Sequence, residues 1–268
     1  MTSAAASASA SAGTGAIAIE VRDLAVAYDG KTIFSGVSFD VRHGEVFVIL
    51  GGSGCGKSTL LKRMIGLRVP EAGSVRFGGS DIVTATGAAR EDLLRSFGVM
   101  YQGGALFGSM TVLENVRLPL DEFTSLPLPA RNIVALGKLA LVGLAGAAGK
   151  MPADLSGGMV KRAAIARAMA LDPGILFLDE PSAGLDPLTS AGLDATIRSL
   201  SRDLGITFVV VTHELQSILA IADRCIMLDA EAATAIAEGD PRVLKVQSPD
   251  PRVTRFLTRA APVPEEKG

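Results

Sequence analysis

A chain of 268 residues with 48% hydrophobic side chains can form one large α/β domain, or a domain carrying an insertion. A formal net charge of −2 speaks against a basic nucleic-acid-binding face, and no run reaches the roughly 18 apolar residues of a bilayer span; a soluble chain is expected, touching membranes only through a partner. Two cysteines, one of them inside a glycine loop, make no disulfide framework and point to a reducing compartment.

Residues 1–15 are Ala, Ser, Gly and Thr without charge, lacking the basic start and Leu-rich core of a secretory signal, and a disordered tail is expected. Alternation at Ile17, Ile19 and Val21 predicts a strand, and residues 24–28 a second short one, with a turn over 28–31. Tyr28, one of two tyrosines, offers a π-face to a nucleotide base or is simply a strand-edge ring. Residues 37–41 alternate cleanly and lead through His43, a surface turn residue, into the apolar run 46–50.

That run ends in Gly51-Gly52-Ser53-Gly54-Cys55-Gly56-Lys57-Ser58-Thr59, followed by a helical pattern that Gly66 can cap. Strand, glycine loop and helix form the context that the GxxxxGK[ST] pattern requires. Glycines let the backbone N–H groups turn inward, and the helix adds the positive end of its dipole, so the loop cradles phosphate. Lys57 then reaches the β- and γ-phosphates and the Ser58 hydroxyl serves Mg²⁺, while Cys55 reads as a small loop residue.

Downstream, residues 74–77 read as a short strand, and residues 88–95 as a helix with Glu91 and Asp92 near its favourable N-terminal end. Residues 97–101 form a strand leading to Gln102 and a flexible loop. Residues 112–149 read as helical, interrupted near Pro127 and Pro129, with residues 133–148 expected as a buried helix and loop. Ser156 is a good N-cap before a long Ala-rich helix, and Gly157 and Gly158 with no acid in the first turn make its start a second anion site.

Residues 175–178 are a buried parallel strand ending in Asp179 and Glu180, at the sheet edge where open α/β folds hold ligands. Asp179 is placed for Mg²⁺ and Glu180 to polarise an attacking water. A further buried strand, 207–211, delivers His213 to the same edge. Helices, a strand and a hairpin-like segment complete the domain, and residues 259–268 are expected to be a second disordered tail.

Taken together, Tyr28, GGSGCGKST at 51–59, Gln102, LSGGM at 155–159, ILFLDE at 175–180, SAGLD at 182–186 and His213 resemble the nucleotide-binding subunits of ATP-binding cassette (ABC) transporters. The resemblance runs from residue 17 to about 257. It implies a P-loop NTPase fold with a mixed sheet core, an antiparallel β-subdomain and a helical subdomain inserted over roughly residues 103–170, all in one domain spanning 16–258. It implies ATP and Mg²⁺ as ligands, with Tyr28 on adenine and Gln102 sensing the metal and coupling to a membrane subunit. His213 would meet the γ-phosphate, Asp186 would join the nucleotide-binding residues, and Ser156, Gly157 and Gly158 would reach nucleotide bound by a second copy, giving a two-fold homodimer.

Finer features resemble the subunits that energise MCE-domain lipid transporters, the maintenance-of-lipid-asymmetry type and its actinobacterial relatives. These are GALFGSM at 104–110, Met159 where most relatives carry Gln, and PDPRVTRFL at 249–257. They imply a phospholipid-transport ATPase at the cytoplasmic face of the bacterial inner membrane. Its partners would be permease subunits, an MCE-domain protein and a small regulatory subunit. An importer ATPase for amino acids or other small solutes is the alternative. A DNA-repair or translation ABC protein would need a coiled-coil insertion or tandem cassettes, and a P-loop kinase would leave LSGGM and His213 as coincidences.

Overall fold

The computed structural model describes residues 15–28 and 30–259. The two expected tails therefore lie outside the described residues except for Gly15 and Arg259, as does Asp29 of the expected turn. Among the described residues, ten strands form two sheets. A four-stranded antiparallel sheet runs in the order β2-β1-β4-β5, from β1 (Ile17–Tyr28), β2 (Lys31–Arg42), β4 (Ala72–Phe77) and β5 (Ser80–Asp81). A six-stranded sheet runs β10-β9-β3-β8-β7-β6, from β3 (Val46–Gly51), β6 (Phe97–Met100), β7 (Ile175–Asp179), β8 (Thr207–Val211), β9 (Arg224–Asp229) and β10 (Thr234–Gly239). All its pairings are parallel except β9 with β10, so the sheet is mixed, as expected.

The central strands β3, β7 and β8 are buried along their whole length because both faces are covered. Phe47, Ile49, Phe177, Val209 and Val211 turn to the antiparallel sheet, where Phe39 stacks on Phe47 at 5.2 Å and Phe77 meets Phe177 edge-on at 6.2 Å. Val46, Val48, Leu50, Leu176, Leu178, Phe208 and Val210 turn to the helices. Strict alternation thus serves two cores, each fully buried large side chain contributing about 1.5–3 kcal/mol.

Three readings need correction. The segments 17–21 and 24–28 are one strand, β1, because Asp23 takes a left-handed backbone (φ 49°) and absorbs a register shift without ending the pairing. Its N–H donates to Ser38 Oγ at 2.8 Å, bridging the interruption to β2. The helix α2 (Gly87–Arg95) has no acid in its first turn; Glu91 lies beyond it and pairs instead with Arg95 at 3.6 Å. The helix α4 (Leu128–Leu141), expected to be buried, buries only Ala135 and Leu139 and leaves Ile133 70% exposed. It lies mainly against α3 (Val112–Phe123) and α5 (Gly157–Ala168), at the outer edge of the helical layer.

The loop 103–111 is tied to that layer by Asn115, a fully buried side chain on α3. Its Oδ1 accepts from Phe107 N at 2.7 Å, and its Nδ2 donates to the carbonyls of Phe107, Met110 and Thr111 at 3.0–3.1 Å. Arg167 adds two bonds to the carbonyls of Gly104 and Ala105. Asn115→Ala removes all four side-chain bonds and leaves the partly buried Phe107 N–H without its acceptor, although the carbonyls of Phe107 and Thr111 keep the N–H groups of Met110 and Asn115. A loss of about 2–4 kcal/mol in unfolding free energy is expected, read by denaturant melts; a melt superimposing on wild type would show the loop to be held by its other contacts.

Candidate functional site

The carboxyl ends of β3, β7 and β8 converge on a cavity of about 600 Å³. Its floor is the glycine loop, its sides carry Tyr28, Gln102, Glu180 and His213, and Ile33 and Phe256 complete the wall. The loop is shaped by two close approaches. A Cβ on Gly51 (φ 147°) would lie 2.3 Å from Leu228 O, and one on Gly56 (φ 97°) would lie 2.8 Å from the Ile33 side chain. Only glycine fits either position. Gly56 is also the N-cap of α1 (Lys57–Met64), whose first turn has no acid, so its free N–H groups face the cavity.

Lys57 Nζ donates to the carbonyls of Gly51 and Gly52, both at 2.9 Å, placing the ammonium within the loop it closes. Ser58, one residue on, donates its hydroxyl to Asp179 Oδ1 at 3.2 Å. Burial raises the Asp179 carboxyl above its ordinary value; the Ser58 hydroxyl opposes this, neighbouring Glu180 reinforces it, and Lys62 and Lys57 pull it back. A hydroxyl and a buried carboxylate in contact are an oxygen donor set suited to a hard divalent cation that keeps most of its waters. No cluster of three or more His, Cys, Asp or Glu occurs among the described residues.

Glu180 follows β7 in a left-handed conformation (φ 48°) that is strained for a side-chain-bearing residue. Its N–H donates to Val211 O at 2.8 Å, so the turn is pinned to β8. His213 Nδ1 meets Glu180 Oε1 at 2.8 Å, whereas Glu180 Oε2 is buried with no partner. One oxygen of the carboxylate is thus held and the other is free. Lys161, buried on α5, faces the same pair: burial draws its ammonium down while Glu180 and Asp179 hold it up.

The remaining sequence-selected residues divide between the cavity and other places. Thr59, Ser53 and Gly54 line the cavity, but Cys55 points into the core at 2% exposure, and burial raises its thiol. Ser156, Gly157 and Gly158 do not line it. Ser156 caps α5, its Oγ accepting from Met159 N, and Gly158 sits so close to α6 (Pro187–Leu204) that a Cβ would be 2.3 Å from the Thr189 side chain. Asp186 caps α6; hydrogen bonds from the Thr189 hydroxyl, first of all, and from backbone N–H groups hold its carboxyl low. Phe256, Ile33 and the Arg63 behind Tyr28 are site residues that sequence reasoning passed over. Phe256 belongs to the amphipathic helix α9 (Pro251–Thr258), whose Val253 and Leu257 are fully buried; that pattern was the available signal.

Comparison with known proteins agrees with this geometry. The family described as ABC transporter matches residues 34–183. The chain is 40% identical over 248 residues to the intermembrane phospholipid transport system ATP-binding protein MlaF of Escherichia coli K12, covering 92% of this chain and 91% of that one. It is 39% identical over 241 residues to the probable ribonucleotide transport ATP-binding protein mkl of Mycobacterium leprae, covering 90% and 69%. Among solved structures, cbiO1 of Clostridium perfringens, part of the ABC transporter complex cbiONQ, superposes with a TM-score of 0.80 at 28% identity over 92% of this chain and 96% of that one. The cassette MJ0796, in a dimeric post-hydrolysis state bound to ADP and Pi, gives 0.74 at 29% identity over 83% and 98%. With a family match over more than half its length, and relatives aligned almost end to end, the chain belongs to the ABC transporter family.

Proposed function

We propose that this chain is the ATP-hydrolysing subunit of an ABC complex that moves phospholipid between bacterial envelope membranes. The observation that carries the lipid assignment is the 40% identity to MlaF over nine-tenths of both chains. The mkl relative, named for ribonucleotide transport, is almost as similar over the matched part, but this chain spans only 69% of it. The ATPase assignment rests on the cavity: phosphate loop, Ser58–Asp179 contact and Glu180–His213 pair at one sheet edge.

In this reading Tyr28 stacks on adenine, the loop N–H groups and Lys57 hold the phosphates, and Glu180 takes the proton of the attacking water through its free Oε2. Attack at the γ-phosphorus breaks the bond to ADP. His213, holding Oε1, keeps the carboxylate aimed and presents its other ring nitrogen to the γ-phosphate. Mg²⁺, held by Ser58, Asp179 and Gln102, would neutralise charge on the β- and γ-phosphates. Ser156, Gly157, Gly158 and Asp186, turned away from the chain's own cavity, serve the nucleotide of a second copy, which makes the working unit a two-fold homodimer.

No helix among the described residues is long and apolar enough to cross a membrane. On the likeness to MlaF, the chain sits at the cytoplasmic face of the inner membrane through permease subunits, with an MCE-domain lipid-binding protein and a small regulatory subunit completing the complex. Affinity purification of the tagged full chain from its own membranes tests this. A multi-span permease and an MCE-domain protein carrying phospholipid are expected; recovery with a small-solute permease and no lipid carrier would replace the assignment with the importer alternative.

A further inference from the structure

Arg63 is a buried cation, 3% exposed, on the helix that leaves the phosphate loop. Burying a guanidinium is costly unless its donors are used, yet among the described residues its Nε has no partner, and its one carboxylate neighbour there, Glu71, stands at 3.9 Å and is half-exposed. The close contacts are with Tyr28. Arg63 Nη1 donates to the tyrosine hydroxyl at 3.2 Å, and the guanidinium carbon lies 5.3 Å from the ring centroid, over the ring. Tyr28 is the last residue of β1 and is 40% exposed on the cavity wall.

An exposed ring at a strand end is free to swing, and stacking a ligand on it costs the entropy of fixing it. Here one contact fixes the hydroxyl end and a second backs the ring, while the cavity side stays open. A guanidinium suits this because its planar fork donates and stacks at once, which an ammonium cannot do. The backing group is also carried by α1, the helix that begins at Lys57, so the aromatic wall and the phosphate loop are joined through one rigid element.

We propose that Arg63 is a positioning residue for nucleotide binding: it holds the Tyr28 ring in the orientation that receives the base. This rests on the reading of Tyr28 as the base-stacking residue, and the two can fail separately. The test is a double-mutant cycle on the full chain, reading the dissociation constant for ATP with Mg²⁺ by titration calorimetry. Tyr28→Ala is expected to weaken binding about tenfold. Arg63→Met, by freeing the ring, should weaken it about three- to tenfold. The double variant should bind no worse than Tyr28→Ala alone, because Arg63 acts only through Tyr28. Arg63→Lys should recover part of the loss.

Wild-type affinity in Arg63→Met, or additive losses in the double variant, would overturn the role of Arg63. Unchanged affinity in Tyr28→Ala would overturn the base-stacking reading itself. Should Arg63→Met not fold, Tyr28→Phe carries the test, since it keeps the ring and deletes only the acceptor of the Arg63 bond. A measurable rise in dissociation constant supports the role, and an unchanged value overturns it.

Discussion

Glu180→Gln is expected to lower the ATP turnover number by roughly 10²–10⁴-fold, the usual weight of a general base, while leaving ATP affinity close to wild type. The substitution is nearly isosteric. The amide oxygen can still accept from His213 Nδ1, so the 2.8 Å contact that orients the side chain survives. What is lost is the unpartnered Oε2, the one oxygen of the pair with capacity to take a proton. With binding intact and cleavage blocked, nucleotide should accumulate in the closed homodimer, visible as an ATP-dependent doubling of mass in size-exclusion chromatography with light scattering. A variant turning over at the wild-type rate would remove Glu180 from the reaction.

The same residue shows how far a sequence can be read. Asp179 and Glu180 are legible because a short unbroken apolar run opened by Gly174 reads as a strand buried on both faces, and such a strand delivers its next residues to the ligand edge. The glycine loop is legible because positions such as Gly51 and Gly56 admit no side chain, so the chemistry is written in consecutive residues. The strain at Glu180 is not legible, since its positive φ comes from the bond between its N–H and Val211 O, 31 positions away in the chain.

Distance in sequence hides the rest as well. Phe256 joins a wall begun more than 200 residues earlier, and Arg63 looks like any charged residue of an exposed helix until β1 is folded against it. Asn115 reads as an indifferent helix residue, although it secures the loop that follows Gln102. The exposed face of α4 was misjudged because hydropathy alone does not say how many neighbours a helix will have. Ser156 and Asp186 were marked as ligand residues, and the fold shows both capping helices outside the cavity; a nucleotide role for them is part of the proposed two-copy assembly.

Lys57→Ala should weaken ATP binding by about 30- to 1,000-fold, a loss of roughly 2–4 kcal/mol of charge-assisted hydrogen bonding. The side chain has two duties. In the free protein its ammonium donates to Gly51 O and Gly52 O, bracing from inside a loop that Leu228 O crowds from outside. With nucleotide bound, the same charge serves the phosphates. The first duty is cheap to lose, because the two carbonyls face an open cavity and water can replace the lysine; the melting temperature without ligand should fall by only a few degrees. The second is not replaceable. At an ATP concentration 100 times the wild-type dissociation constant, binding stabilises the wild type by about 2.7 kcal/mol. A hundredfold weaker variant would retain only about 0.4 kcal/mol by the same relation. The ATP-induced rise in melting temperature should therefore almost vanish in Lys57→Ala, and Lys57→Arg should not restore it, since a planar fork does not fit where a compact ammonium sits between two carbonyls. A full ATP-induced shift in either variant would mean that the backbone donors of the loop hold the phosphates without the lysine.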